Sequence, residues 1–188
     1  LNNSAKLGKS DWSILEADES DGSFIHVPPT YSIITNIDRD HMGTYDHNFD
    51  RLKKSFIDFG NNLPFYGSAA LCIDDPNVLE IMPFISRRVL TYGFDSRSEF
   101  RAEEVRIDAK GGWVFRVDRG NSFDSLEITL PVPGYHNVRN ALAAIAIATD
   151  EGVSDQTIVQ ALGCFSGVGR RFEVSLEIMV GGRSLTLV

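Results

Sequence analysis

Tyr31-Ser32-Ile33-Ile34-Thr35-Asn36-Ile37-Asp38-Arg39-Asp40-His41 is the stretch on which the fold turns. Its opening is rich in aromatic and β-branched residues, which favour a pleated strand. Its end is acidic and cannot stay in a core. A buried strand that runs directly into a polar loop is the pattern of a parallel α/β sheet. Such sheets are covered on both faces and hold ligands outside the carboxyl ends of their strands.

The same design recurs upstream. Trp12-Ser13-Ile14-Leu15 predicts a buried strand, and Glu16-Ala17-Asp18-Glu19-Ser20-Asp21-Gly22 an acidic loop after it. Downstream, residues 49–62 have helical spacing, with Phe49, Leu52, Phe56 and Phe59 on one stripe. Residues 69–73 predict a strand closed by Asp74-Asp75-Pro76, residues 77–82 a short helix and residues 89–93 a further strand. From Phe100 the texture changes. Residues 100–107, 112–118 and 125–130 alternate apolar and polar side chains, with Gly111-Gly112 and Gly120-Asn121 between them. They predict a small antiparallel meander, appended as a second sheet with one solvated face. Residues 137–149 form an alanine-rich helical pattern, and residues 154–162 another with Ser154 as N-cap. Strand-like alternation returns over 172–188. The expected fold class is α/β: a mostly parallel sheet flanked by helices, with a small antiparallel β-meander.

Composition narrows the function. The 188 residues carry a net charge of −8, which excludes nucleic-acid binding through a broad basic face. No apolar run of membrane-spanning length occurs, so no membrane association is expected. No secretory signal is seen. Cys72 and Cys164 lie far apart in apolar company and read as two reduced, buried thiols, which fits the cytoplasm.

Four groups of residues could carry chemistry. Glu16, Asp18, Glu19 and Asp21 place four carboxylates within six residues, which repel one another unless water or a cation compensates. A solvated acidic loop is the plain alternative. A calcium hand fails, because Gly22 is misplaced and Val27 or Pro28 stands where the closing glutamate is required. Asp38-Arg39-Asp40-His41 follows a neighbouring strand. Magnesium accepts one or two carboxylates beside phosphate oxygens, which suits Glu16, whereas His41 is a less usual partner. Asn137 and Asn140 share a helix face and could meet an adenine edge, or one of them could simply cap the helix. Gly167-Val168-Gly169-Arg170-Arg171-Phe172-Glu173 offers two guanidinium groups, for phosphate oxygens or for surface salt bridges. Gly8-Lys9-Ser10 imitates the end of a phosphate loop. Asn3 stands where that motif needs its first glycine, and a strand rather than a helix is expected next.

Taken in order, "EADESDGSF", "TNIDRDHMGTY", "GYHNVRNALAAIAIA" and "GVGRRFE" closely resemble the central, ATP-binding domain of the Mur ligase family, over about residues 11–173. The acidic string and "DRDHMGTY" look like the muramate–alanine branch. The resemblance implies ATP and Mg2+ as cofactors and UDP-N-acetylmuramate and L-alanine as substrates, joined through an acyl phosphate. It places Glu16 and His41 at a catalytic metal site, Asn137 and Asn140 beside adenine, and Arg171 on the nucleotide. It divides the chain into a central domain over 1–172 that lacks its phosphate loop, and the start of a C-terminal domain over 173–188. A fragment of this kind is expected to be inactive alone and prone to self-association along an open sheet edge. A peptide-recycling UDP-muramate ligase, a folate-type polyglutamate ligase and a non-catalytic nucleotide- or metal-binding module are the competing readings.

Overall fold

The computed structural model describes residues 7–167 in full, and the backbone of two further strands near the end of the chain. Six strands form one mixed sheet in sequence order: β1 (Tyr31–Ile34), β2 (Ser68–Cys72), β3 (Arg88–Gly93), β4 (Phe100–Ile107), β5 (Trp113–Asp118) and β6 (Leu126–Leu130). β1 to β4 run parallel and β4 to β6 antiparallel. The expected meander is therefore present, but it is no separate sheet. β4 joins β3 through Tyr92↔Phe100 and Gly93↔Arg101, and pairs with β5 along most of its length. A bulge between Glu103 and Arg106 bends it there.

Helix α1 (Phe49–Asn61) is the first crossover. Asn48 caps it by accepting from the backbone N–H groups of Asp50 and Arg51. Leu52 of its apolar stripe is fully buried, and Phe49 and Phe56 pack beside it. Helix α2 (Pro76–Ile81) is capped by Asp75 and opens on Pro76, whose fixed φ suits a first turn. Both cover the sheet face that presents Ile34, Ala69 and Leu71. Helix α3 (Tyr135–Asp150) covers the opposite face, which presents Ala70, Cys72, Leu90 and Tyr92. Its small residues Ala141, Ala143 and Ala146 are buried there and let the helix lie close on the strands. Helix α4 (Asp155–Gly163) packs on β6 and α3, with Ser154 as the expected N-cap accepting from the backbone N–H of Thr157.

Two further expectations fail. Residues 12–15 are not a strand: Ile14 is 97% exposed and Leu15 65%. A strand position is worth occupying only where a ladder and a packed face come with it. Here Trp12 only leans its ring on Tyr31, at 5.8 Å. Cys164 is exposed rather than buried, because it sits at the C-cap of α4 beyond that helix's apolar stripe; Cys72 is buried, and both thiols are free. Strands β7 (Leu176–Val180) and β8 (Arg183–Leu187) form an antiparallel hairpin, in line with the alternation of the sequence. No helix among the described residues is long and apolar enough to cross a membrane.

Candidate functional site

The direction of α3 decides where a cavity opens. At its C-terminal end, Asp150 accepts from the Ser68 hydroxyl at 3.0 Å and pairs with Arg88 at 2.5 Å, both at the starts of strands. Its first turns therefore lie at the carboxyl ends of β1 to β3. A cavity of about 320 Å³ opens there, lined by Thr35, Asn36 and Asp38 after β1, Cys72 and Asp75 after β2, Tyr92 of β3, and His136, Arg139 and Asn140 of α3. The strand-end rule and the positive end of a helix dipole meet at this point, which favours a polar, negatively charged ligand. Burial pushes the Cys72 thiol and the Tyr92 phenol up from their ordinary pKa values, so both stay neutral at pH 7.

Asn140 lines this cavity. Asn137 does not: its amide donates to the Pro133 carbonyl at 2.6 Å and ties the first turn of α3 to the preceding loop. Its carbonyl oxygen remains as an acceptor. The sequence reading missed Asn36, Asp75, Tyr92, His136 and Arg139. His136 and Arg139 could have been found, since they share the opening turns of the same helix as Asn140. Asp75 reads in sequence only as part of the Asp74-Asp75-Pro76 segment that closes a strand.

The acidic loop forms a second hollow, of about 230 Å³, lined by Glu16, Asp18, Ser20 and Asp21 and floored by Phe24. The expected repulsion is relieved locally. Asp18 accepts from the Ser20 N–H and Asp21 from the Ser23 N–H, both at 2.8 Å. Hydrogen bonds from Ser20 and Ser23 lower the two carboxyl pKa values; the nearby charge of His41 adds to the effect on Asp18. The loop is also tied to the segment after β1. Thr44 Oγ1 donates to the Ser20 carbonyl at 2.5 Å, and Tyr45 Oη to the Glu19 carbonyl at 2.6 Å. His41 thus stands on a segment bound to the Glu16 loop. Its φ of 50° lies in the left-handed region, which few residues other than glycine adopt. No group of three or more His, Cys, Asp or Glu among the described residues is arranged to hold a metal. Arg170 and Arg171 lie outside the described residues.

The Mur ligase middle domain matches residues 5–148. The chain belongs to the Mur ligase family. It is 51% identical, over 98% of its length, to a UDP-N-acetylmuramate–L-alanine ligase of Bordetella petrii, of which it spans 41%. Among solved structures it resembles the UDP-N-acetylmuramate–alanine ligase of Thermotoga maritima, with 29% identity, a TM-score of 0.70, and 86% of this chain covering 35% of that one. It also resembles a murein peptide ligase of Psychrobacter arcticus, with 26% identity, a TM-score of 0.64, and 82% of this chain covering 31% of that one. The chain thus spans less than half the length of these relatives. The mixed sheet with helices on both faces is the Mur ligase central-domain fold expected from the sequence.

Proposed function

We propose that the protein containing this chain is the ATP-dependent ligase that joins L-alanine to UDP-N-acetylmuramate in cytoplasmic peptidoglycan precursor synthesis. The observation that carries the reading is 51% identity to such a ligase across 98% of the chain. The cavity at the strand ends supports it, because it offers a nucleotide a helix N-terminus, a guanidinium and side-chain amides together.

The γ-phosphoryl group of ATP passes to the lactyl carboxylate, giving an acyl phosphate and ADP. The amine of L-alanine then attacks the acyl carbon, and phosphate leaves as the amide forms. Asn140 meets the edge of the base, with the Asn137 carbonyl oxygen near the same turn. Arg139 and Arg171 bring positive charge to the phosphates. Glu16 fits a magnesium ion by its chemistry: it is an exposed, hard oxygen donor in a carboxylate-lined hollow, and magnesium keeps waters and phosphate oxygens for its other positions. His41, on the tethered segment, would be the second protein donor. Such an ion would supply charge neutralisation as phosphate and carboxylate approach. Residues 1–172 serve as the ATPase domain, and residues 173–188 begin the domain that brings the amino acid.

The test uses the full-length protein with ATP, magnesium, UDP-N-acetylmuramate and single amino acids. Alanine-dependent phosphate release and an amide product are expected. Turnover that is indifferent to alanine, or that requires a peptide instead, overturns the reading. Within the site, Asn140→Ala should raise KM for ATP by roughly tenfold, the scale of a lost hydrogen bond to a bound ligand, and leave KM for alanine near its original value.

A further inference from the structure

Helix α3 carries His136, Arg139 and Asn140 into the cavity, yet it has no side-chain N-cap. Gly134 stands at the cap position with φ 92°, and a Cβ there would come within 2.5 Å of the His136 ring. Asn137 supplies one tie, to Pro133. A second element holds the start of the helix.

That element is an aromatic stack. The Tyr135 ring lies flat on the Phe94 ring, with centroids 4.3 Å apart and planes 12° apart. Trp113 meets Tyr135 edge-on at 5.4 Å and 70°. Phe94 is itself held. The Asp74 carboxylate accepts from the backbone N–H of Phe94 at 2.9 and 3.0 Å and from that of Asp95 at 3.0 Å. Gly93 lets the backbone come this close, since a Cβ there would meet Asp74 Oδ1 at 2.4 Å. Asp74 lies between Cys72 and Asp75, two residues of the cavity wall. A continuous set of contacts therefore runs from the β2 end, through the β3–β4 turn, to the first residue of α3.

We propose that Tyr135, clamped between Phe94 and Trp113 with Asp74 holding Phe94, is the positioning residue that sets the nucleotide-facing side chains of α3. The inference rests on the nucleotide reading of the cavity. Tyr135 is 48% exposed and no described hydrogen bond uses its hydroxyl, so the ring, not the phenol, does the positioning.

The test compares full-length wild type with Tyr135→Ala, Tyr135→Phe and Phe94→Leu. Isothermal titration with a non-hydrolysable ATP analogue reads affinity, and steady-state assays read kcat and both KM values. Tyr135→Ala and Phe94→Leu are expected to weaken the analogue roughly three- to tenfold, the scale of one lost aromatic pair, with kcat and KM for alanine within about twofold. Tyr135→Phe is expected to restore wild-type affinity. If Tyr135→Ala does not fold, Phe94→Leu alone decides the matter by the same readout. Unchanged analogue affinity in the folded variants, or an equal rise in both KM values, overturns the positioning role and leaves the nucleotide site intact. Wild type that fails to bind the analogue overturns the nucleotide reading itself, and the positioning role with it.

Discussion

The two candidate halves of the site are built in opposite ways. The α3 half stands on a helix pressed into the core, with Val138, Leu142 and Ile145 completely buried behind its cavity face. The Glu16 half stands on an exposed loop whose shape comes from short Asx turns and two hydroxyl-to-carbonyl bonds. One is positioned by apolar packing, the other by a few polar contacts in water. Residues that read a rigid base suit the first. Residues that meet a hydrated cation suit the second, since magnesium keeps several waters and takes only one or two carboxylates from the protein. Function and stability should therefore separate between the halves.

The sharpest separation is expected at Glu16. Glu16→Ala in the full-length protein should lower ligation more than about a hundredfold, beyond the ~10–100-fold typical of residues that merely support metal ligands. Stability should move by less than ~0.5 kcal/mol, as for other exposed positions. Near-normal turnover would remove Glu16 from the chemistry and reduce the acidic hollow to a solvated surface. Leu142→Ala is the converse. It should cost about 2–5 kcal/mol in urea denaturation, because the removed atoms leave a cavity between α3 and the sheet. A smaller cost would mean that α3 can settle onto the strands, which its buried alanines argue against.

Tyr45→Phe probes the polar tether. It deletes the donor to the Glu19 carbonyl and should cost about 0.5–1.5 kcal/mol, with a modest drop in kcat. Unaltered kcat would mean that the Glu16 loop needs no tether to the His41 segment. The smallest effect is expected at Glu99, an exposed residue just before β4. Burial raises its carboxyl pKa, opposed by Arg88 and reinforced by Asp150. A carboxyl whose pKa is raised on folding favours the native state while protonated, and loses that contribution as pH rises through the folded pKa. Glu99→Gln should therefore raise Tm slightly near pH 7, by no more than ~0.5 kcal/mol in stability, and the gain should vanish near pH 4. An equal shift at both pH values would trace the effect to packing.

The legibility of the sequence follows the same division. β1 to β6, α1, α3 and α4 were readable because each buries a periodic face, and periodicity is a local property of the chain. Residues 12–15 misled because an apolar run of four specifies no partner, and burial depends on what lies beside it. The parallel seam between β3 and β4 was equally hidden, since two residue pairs across a turn leave no pattern in the alternation of either strand. In the cavity, Asn140 was found through its helix, whereas Asn36, Asp75 and Tyr92 are assembled from three strand ends far apart in sequence. Asn137 shows the limit of spacing arguments. It shares the face of Asn140, but its amide is spent on Pro133.

The short β3–β4 junction has a mechanical consequence. The sheet changes from parallel to antiparallel within a single bent strand, and the ladder is thinnest there. Helix α3 lies across that junction, in contact with β2, β3 and β4 at once. It acts as a splint over a weak joint. A force that parts the two halves of the sheet must shear α3 from its bed as well, and the residues at its tip would leave the cavity in the same motion. The cavity wall formed by α3 and the joint between the two halves of the sheet thus depend on the same helix.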